Sequence, residues 1–201
     1  MQSFGMYFRL GAEHIADWKG YDHILFITSL CLTYLLKDWK KVLILVTAFT
    51  IGHSLTLALS VYHKILVPSK WVEFLIPITI LIAALNNLFT PKVQTTNHKL
   101  QTTDLKPVFL YCTALFFGLI HGMGFSNYLK SLLGRSQNIV GELFAFNIGL
   151  EAGQLLIVSF VLLISFIFVV LFKIKREWWV KGISLIISLL AFKMCIDRFP
   201  I

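Results

Sequence analysis

Long apolar stretches alternate with short polar segments along this chain. Since about 20 apolar residues cross a bilayer as a helix, the pattern predicts membrane-spanning helices. The predicted spans cover about residues 21–36, 42–62, 72–89, 107–129, 141–172 and 178–196. The fifth is longer than one bilayer requires, so we expect it to tilt, to kink or to protrude.

Two further segments differ from these spans. Residues 3–19 mix apolar and charged side chains at helical spacing, which predicts a short interfacial or partly inserted helix. Residues 90–106 are polar and predict an exposed loop. The predicted fold is therefore all-α: a polytopic membrane helix bundle in one domain, residues 1–201, with about six transmembrane helices and a short N-terminal interfacial helix.

Composition supports this class and limits the partners. The chain is 57% hydrophobic and only 14% charged, with a mean hydropathy of +0.79. Its net charge of +8 suits nucleic acid or anionic lipid, and we interpret it as loop charge that contacts the bilayer and sets orientation, not as a nucleic-acid surface. The basic residues that fall together on one side are Lys37, Lys40, Lys41, Lys92, Lys99, Lys106, Lys173, Lys175 and Arg176. By the positive-inside rule that side is cytoplasmic, and both termini are expected outside.

Histidines within the apolar segments are the first candidates for chemistry. His53 lies near mid-depth of the second span, on one helix face with Thr50 and Ser54 at spacings of three and four from Thr50, and His121 lies among glycines in the fourth. A polar group in a membrane is costly without a partner, so such residues are functional candidates by default. The alternative is a histidine that only hydrogen-bonds across a helix interface.

Two other places carry polar residues. His14, Asp22 and His23 gather at the outer end of the first span, where the alternatives are a histidine facing water and an aspartate capping a helix. In the fifth span, Asn147, Glu151 and Gln154 form a polar stripe at spacings of four and three, beside the GxxxG element of Gly149 and Gly153. We expect this stripe to face His121, with His53 as a further partner.

The depths of these residues agree, so we predict one intramembrane metal site. Its expected ligands are His14, Asp22, His23, His53, His121 and Glu151, supported by Ser54, Asn147 and Gln154. Imidazole and carboxylate ligands suit divalent Ni, Co or Zn. Three cysteines in separate apolar segments form no CxxC pair and predict neither a disulfide nor a thiolate site.

Four motifs occur in order along the chain: Gly11-Ala-Glu-His-Ile15 with Gly20-Tyr-Asp-His-Ile-Leu-Phe26, then Ala48-Phe-Thr-Ile-Gly-His-Ser-Leu-Thr-Leu57, Phe117-Gly-Leu-Ile-His-Gly-Met-Gly-Phe125 and Phe144-Ala-Phe-Asn-Ile-Gly-Leu-Glu-Ala-Gly-Gln154. They resemble the second branch of the HupE/UreJ family of small bacterial membrane proteins. The resemblance implies a nickel or cobalt permease of the bacterial inner membrane, in some relatives linked to hydrogenase or urease maturation. It also implies metal binding by Asp22 and His23. A homo-oligomer and a metalloenzyme-maturation partner are both compatible with it.

Three functions are open on the residues. The first is a permease or channel for a divalent transition metal, with no ATP-binding motif in the sequence. The second is a membrane-embedded zinc-dependent hydrolase or acyl-transferase acting on a lipid or lipidated substrate, with Glu151 or Asp22 as the base. The third is an accessory subunit whose polar residues only lock helices together. The residues alone leave the first two near even, and the resemblance favours transport.

Overall fold

The computed structural model describes residues 2–18, 20–62, 68–89, 107–133 and 138–200. Within these ranges the regular structure is helical, without a β-strand, so the predicted all-α class is confirmed. The predicted polar loop, residues 90–106, lies outside the described residues. The helices are α1 (Gln2–Ala16), α2 (Asp22–Cys31), α3 (Trp39–Val61), α4 (Ser69–Phe89), α5 (Pro107–Leu133), α6 (Ile139–Phe166) and α7 (Arg176–Asp197).

Four helical segments of the described chain are long and apolar enough to cross a membrane. They are Leu36–Val61, Ser69–Phe89, Ile139–Leu171 and Arg176–Asp197. The first includes a 3₁₀ turn before α3, and the third continues α6 through a π-helical turn. Large apolar side chains are exposed on these helices while histidines, threonines and serines are buried, as lipid surroundings require. Asp22–Cys31 and Leu110–Ser126 are shorter apolar segments, and the count of six spans stays a prediction.

Helices α1 and α6 are in backbone contact because glycines line their interface. A Cβ added at Gly149 would overlap the carbonyl group of Phe8, and one added at Gly153 would lie 2.9 Å from the carbonyl oxygen of Ala12. Such small residues let helices approach closely in a membrane. Since the later glycine meets the later residue of α1, the two helices run in the same direction.

Helices α3 and α5 form a second close pair. A Cβ at Gly118 would overlap the carbonyl of Phe49, and one at Gly122 would overlap the carbonyl of His53. Gly52 of α3 faces the backbone of α5 in the same way. These two helices also run in the same direction. Their contact fixes the backbone of α3 at His53, which carries a candidate imidazole.

The short helix α2 is held by α4 and by the two ends of α7. The side-chain amide of Asn87, on α4, donates to the carbonyl of Ser29 at 2.7 Å. The Arg176 guanidinium, at the start of α7, donates to the carbonyl of Thr33 just beyond the C-terminal end of α2. A cation at this end of a helix is favourable because the helix dipole is negative there. These contacts set the position of α2 and of the residues at its beginning.

Candidate metal centre

Three histidines from three helices converge on one point. They are His14 near the end of α1, His23 in the first turn of α2 and His53 in the middle of α3. One ring nitrogen from each lies within 4.8 Å of the others. The ring centroids of His14 and His23 are 4.7 Å apart, and that of His53 lies 5.8 Å and 5.9 Å from them. The structure thus brings three of the predicted ligands together.

His121 of α5 lies against this trio, with its ring centroid 5.2 Å from that of His23. Its Nε2 is 3.0 Å from the hydroxyl of Thr79 on α4. Because Thr79 donates its own proton to the carbonyl of Ile76 at 2.7 Å, it accepts from His121. Nε2 of His121 therefore carries the ring proton, and Nδ1 keeps a free lone pair. A partner that fixes the tautomer in this way is typical of metal-binding histidines.

Several ring nitrogens of these four histidines are buried and have no hydrogen-bond partner in the described chain. Among the described residues, five such atoms belong to the four histidines: Nε2 of His14, Nε2 of His23, Nδ1 and Nε2 of His53, and Nδ1 of His121. The side chain of His53 is fully buried. Leaving a buried polar atom unpaired costs about 1–3 kcal/mol. Five of them on four adjoining imidazoles indicate a site that takes a ligand, since helix contacts alone would not require so many.

Phenylalanine rings enclose the histidines. The ring of Phe125 lies 3.8 Å from that of His14, centroid to centroid, and stacks on Phe146 at 5.5 Å. On the other side, the rings of Phe26 and Phe49 lie 4.9 Å and 5.3 Å from that of His121. Because apolar walls exclude water, a charge placed among the histidines interacts strongly with its ligands.

Asp22, another predicted ligand, is paired with an arginine. Its carboxylate accepts hydrogen bonds of 2.7 Å and 3.3 Å from the two terminal nitrogens of Arg198, just beyond the end of α7. Asp22 lies in the first turn of α2, and no side-chain cap hydrogen bond is present at this helix start. The ion pair neutralises the carboxylate next to His23. A ligand role for Asp22 stays a prediction.

The polar stripe of α6 contacts α3. We had expected it to face His121, which lies on α5. The hydroxyl of Thr47 donates to the Glu151 carboxylate at 2.9 Å, and the hydroxyl of Thr50 lies 2.6 Å from the amide oxygen of Gln154. Gln154 is fully buried and its amide nitrogen has no partner among the described residues. Since Thr47, Thr50 and His53 follow one another at intervals of three on α3, the stripe continues the polar surface of His53 along the helix.

The supporting residues lie in different places. Ser54 is half-buried beside His53, and the amide oxygen of Asn147 is buried without a partner in the described chain. The residues that sequence reasoning missed are Thr79, Arg198 and the phenylalanines. Only the phenylalanines carried a signal: Phe49 stands four residues before His53, a spacing that places both on one helix face.

The donor set fits a divalent metal ion of borderline softness. Neutral imidazoles bind Ni²⁺, Co²⁺ and Zn²⁺, and three of them are the protein ligands of some zinc sites. Ligand atoms around a tetrahedral ion lie roughly 3.4 Å apart, given metal–nitrogen bonds of about 2.0–2.1 Å. The trio, within 4.8 Å, would close on an ion by small side-chain rotations. Cys31 is buried in an apolar cluster with Ile15 and Ile27 and is not part of the group.

The fold and the site define a class: a helical membrane protein that gathers several histidines in its interior. The model of the HupE / UreJ protein family matches residues 1–198, essentially the whole chain. The chain therefore belongs to the HupE/UreJ family. Neither a curated protein nor a solved structure matches it significantly.

Proposed function

We propose that the chain is a permease or channel for a divalent transition metal ion of the nickel and cobalt class. The observation that carries this proposal is the convergence of the His14, His23 and His53 imidazoles, with the His121 ring against that of His23. Five nitrogens of these four rings are buried without a hydrogen-bond partner in the described chain. Membership of a family associated with nickel and cobalt transport supports it. We further propose that the protein lies in the bacterial inner membrane, in line with its family, and that both termini are outside, in line with the distribution of basic residues.

In this proposal the ion is the substrate, and His14, His23, His53 and His121 are its ligands. All four are neutral side chains, and the two carboxylates that directly precede a ligand in sequence, Glu13 and Asp22, are paired with Arg9 and Arg198. A site without a free negative charge binds a divalent ion less tightly than one with carboxylate ligands. Moderate binding suits passage, because an ion must leave as well as enter.

The contacts between α3 and α6 extend the proposed path of the ion beyond the histidines. From His53, Thr50 and Thr47 follow at intervals of three residues, or about 4.5 Å along the helix. Each hydroxyl faces a polar group of α6, first Gln154 and then Glu151. Glu151 is half-buried and would receive the ion, or a proton that moves against it, after the histidines.

Proteoliposome uptake tests the proposal, using Ni²⁺, Co²⁺ and Zn²⁺ in turn. Wild type should show saturable uptake of at least one ion, and His53→Ala should reduce it to the level of empty vesicles. Ser188→Ala is the matched control, because Ser188 is a buried, unpartnered polar residue of α7 that is not among the clustered histidines. It should transport like wild type. Equal uptake by wild type and His53→Ala would refute the proposal.

The grouping of three imidazoles also fits the second candidate, a zinc-dependent hydrolase or acyl-transferase. Catalytic zinc has three protein ligands and one open position. Of the two candidate bases, Asp22 is ion-paired with Arg198, and Glu151 contacts Thr47, six residues or about 9 Å along α3 from His53, which is why we place this function second. One zinc per chain that survives chelator washes, together with no uptake of any ion, would favour the enzyme.

A further inference from the structure

The Asp22–Arg198 ion pair is a charged contact beside the histidine site. It joins the first turn of α2 to the end of α7, 176 positions apart in sequence. The Asp22 side chain is 12% exposed and that of Arg198 is 31% exposed. Since Asp22 directly precedes His23, any movement of this carboxylate occurs next to a candidate ligand.

We propose that Arg198 competes with the metal ion for the Asp22 carboxylate and thereby sets the affinity of the histidine site. The inference rests on the proposed function. With the pair closed, the ion meets only neutral imidazoles. With the pair open, the carboxylate is free to act as a ligand or as a nearby negative charge. Either role strengthens the binding of a divalent cation in surroundings that phenylalanines keep apolar.

A second carboxylate gives Arg198 an alternative partner. The rings of Phe74 and Phe199, which are the chain neighbours of Glu73 and Arg198, lie 5.3 Å apart between centroids, so the beginning of α4 contacts the chain just beyond α7. In keeping with this, burial lowers the pKa of Arg198, while the hydrogen bond and charge of Asp22, followed by the charge of Glu73, raise it. Glu73 lies on α4 and is exposed. When Arg198 separates from Asp22, it can therefore pair with Glu73. The exchange of partners then leaves no unpaired charge on the guanidinium.

The alternative is that the ion pair only fastens α7 to α2. The two roles predict opposite results for loss of the arginine. If the ion pair only fastens α7 to α2, removing the arginine loosens α2 and weakens both metal binding and stability. If Arg198 competes with the ion for Asp22, removing the arginine frees the carboxylate and strengthens metal binding. The affinity of the site for a metal ion therefore separates the two roles, whatever happens to stability.

The test is titration of the detergent-solubilised full chain with Co²⁺, followed by its ligand-field spectrum. Arg198→Gln should bind Co²⁺ more tightly by at least about fivefold, in the range typical of coupled sites. The double variant Asp22→Asn with Arg198→Gln should lose this gain. Lys181→Gln is the matched control, because it removes an exposed cation paired with Glu177 on the same helix at 2.8 Å. It should leave the affinity unchanged.

A second variant covers the case in which Arg198→Gln fails to fold. Glu73→Gln is an exposed change that removes the alternative partner, so it should hold Arg198 on Asp22 and weaken Co²⁺ binding. Unchanged or weaker binding in a folded Arg198→Gln, a gain that persists in the double variant, or unchanged binding in Glu73→Gln would each overturn the inference. Failure of wild type to bind Co²⁺, Ni²⁺ or Zn²⁺ would instead overturn the proposed function and the inference with it.

Discussion

Replacing Gly52 by alanine should damage metal binding without touching a ligand. The added Cβ would lie 3.0 Å from the backbone nitrogen of Leu119 and 3.1 Å from the carbonyl carbon of Leu115, and it would overlap the Leu115 oxygen. Ordinary contacts between such atoms are about 3.5–4.0 Å. Helices α3 and α5 must therefore separate by at least about 0.5 Å, and His53 moves with α3.

The size of the effect follows from this displacement. Forcing one extra carbon into a packed interface costs about 1–3 kcal/mol. Ligand distances in metal sites hold within about 0.2 Å, so a shift of this size at His53 is large for the site. If most of the strain acts on the bound state, the Kd for Co²⁺ rises by about 5- to 150-fold, at 1.4 kcal/mol per factor of ten.

The assay is Co²⁺ titration in detergent, with thermal unfolding measured on the same sample. Gly182→Ala is the control, since the structure places no atom within 4 Å of an added Cβ there. Because glycine is unfavourable inside a helix by about 0.5–1 kcal/mol, this control should be as stable as wild type or more so, with unchanged affinity. A folded Gly52→Ala that binds Co²⁺ as tightly as wild type would refute the link between helix packing and the site.

Three further predictions concern other parts of the molecule. Thr79→Val removes the group that fixes the tautomer of His121 and should weaken Co²⁺ binding by about 10- to 100-fold, as loss of such supporting partners commonly does, so an unchanged Kd would argue against the assignment. Glu151→Gln should slow uptake while leaving Co²⁺ binding within about threefold of wild type. Uptake and Co²⁺ titration are measured on the same variant, and loss of binding would instead make Glu151 a ligand of the same ion. In a cysteine-free background, cysteines placed at Lys175 and Phe199, beyond the two ends of α7, should react with an impermeant thiol reagent from opposite sides of the membrane, and labelling of both from one side would contradict a spanning α7.

Local pattern was sufficient to predict the helical class and the histidines. Apolar length indicated the spans, and an imidazole such as His53 inside an apolar run is conspicuous because it is costly there. The spacing of Gly149 and Gly153 indicated a tightly docked neighbour, although the sequence did not show that the neighbour is α1. These features are readable because they depend on residues only a few positions apart.

The contacts between distant segments were not predictable from the sequence. Asp22 and Arg198 are 176 positions apart, and Thr79 and His121 are 42 apart, so their meeting depends on how whole helices pack. A threonine or a terminal arginine is common in membrane helices and carries no local signal of its role. For the same reason, the sequence could suggest six ligands of one site but could not show that Asp22 is held by an arginine.

The most direct test of the account is the metal content of the purified chain after equilibrium dialysis against Ni²⁺, Co²⁺ or Zn²⁺. Mass spectrometry of the metal should give one ion per chain for wild type and for Ser188→Ala. His14→Ala, His23→Ala and His53→Ala should each retain little or none, since each removes a member of the converging trio. A wild type that binds no ion, or histidine variants that bind as wild type does, would contradict the claim that these imidazoles form one metal site.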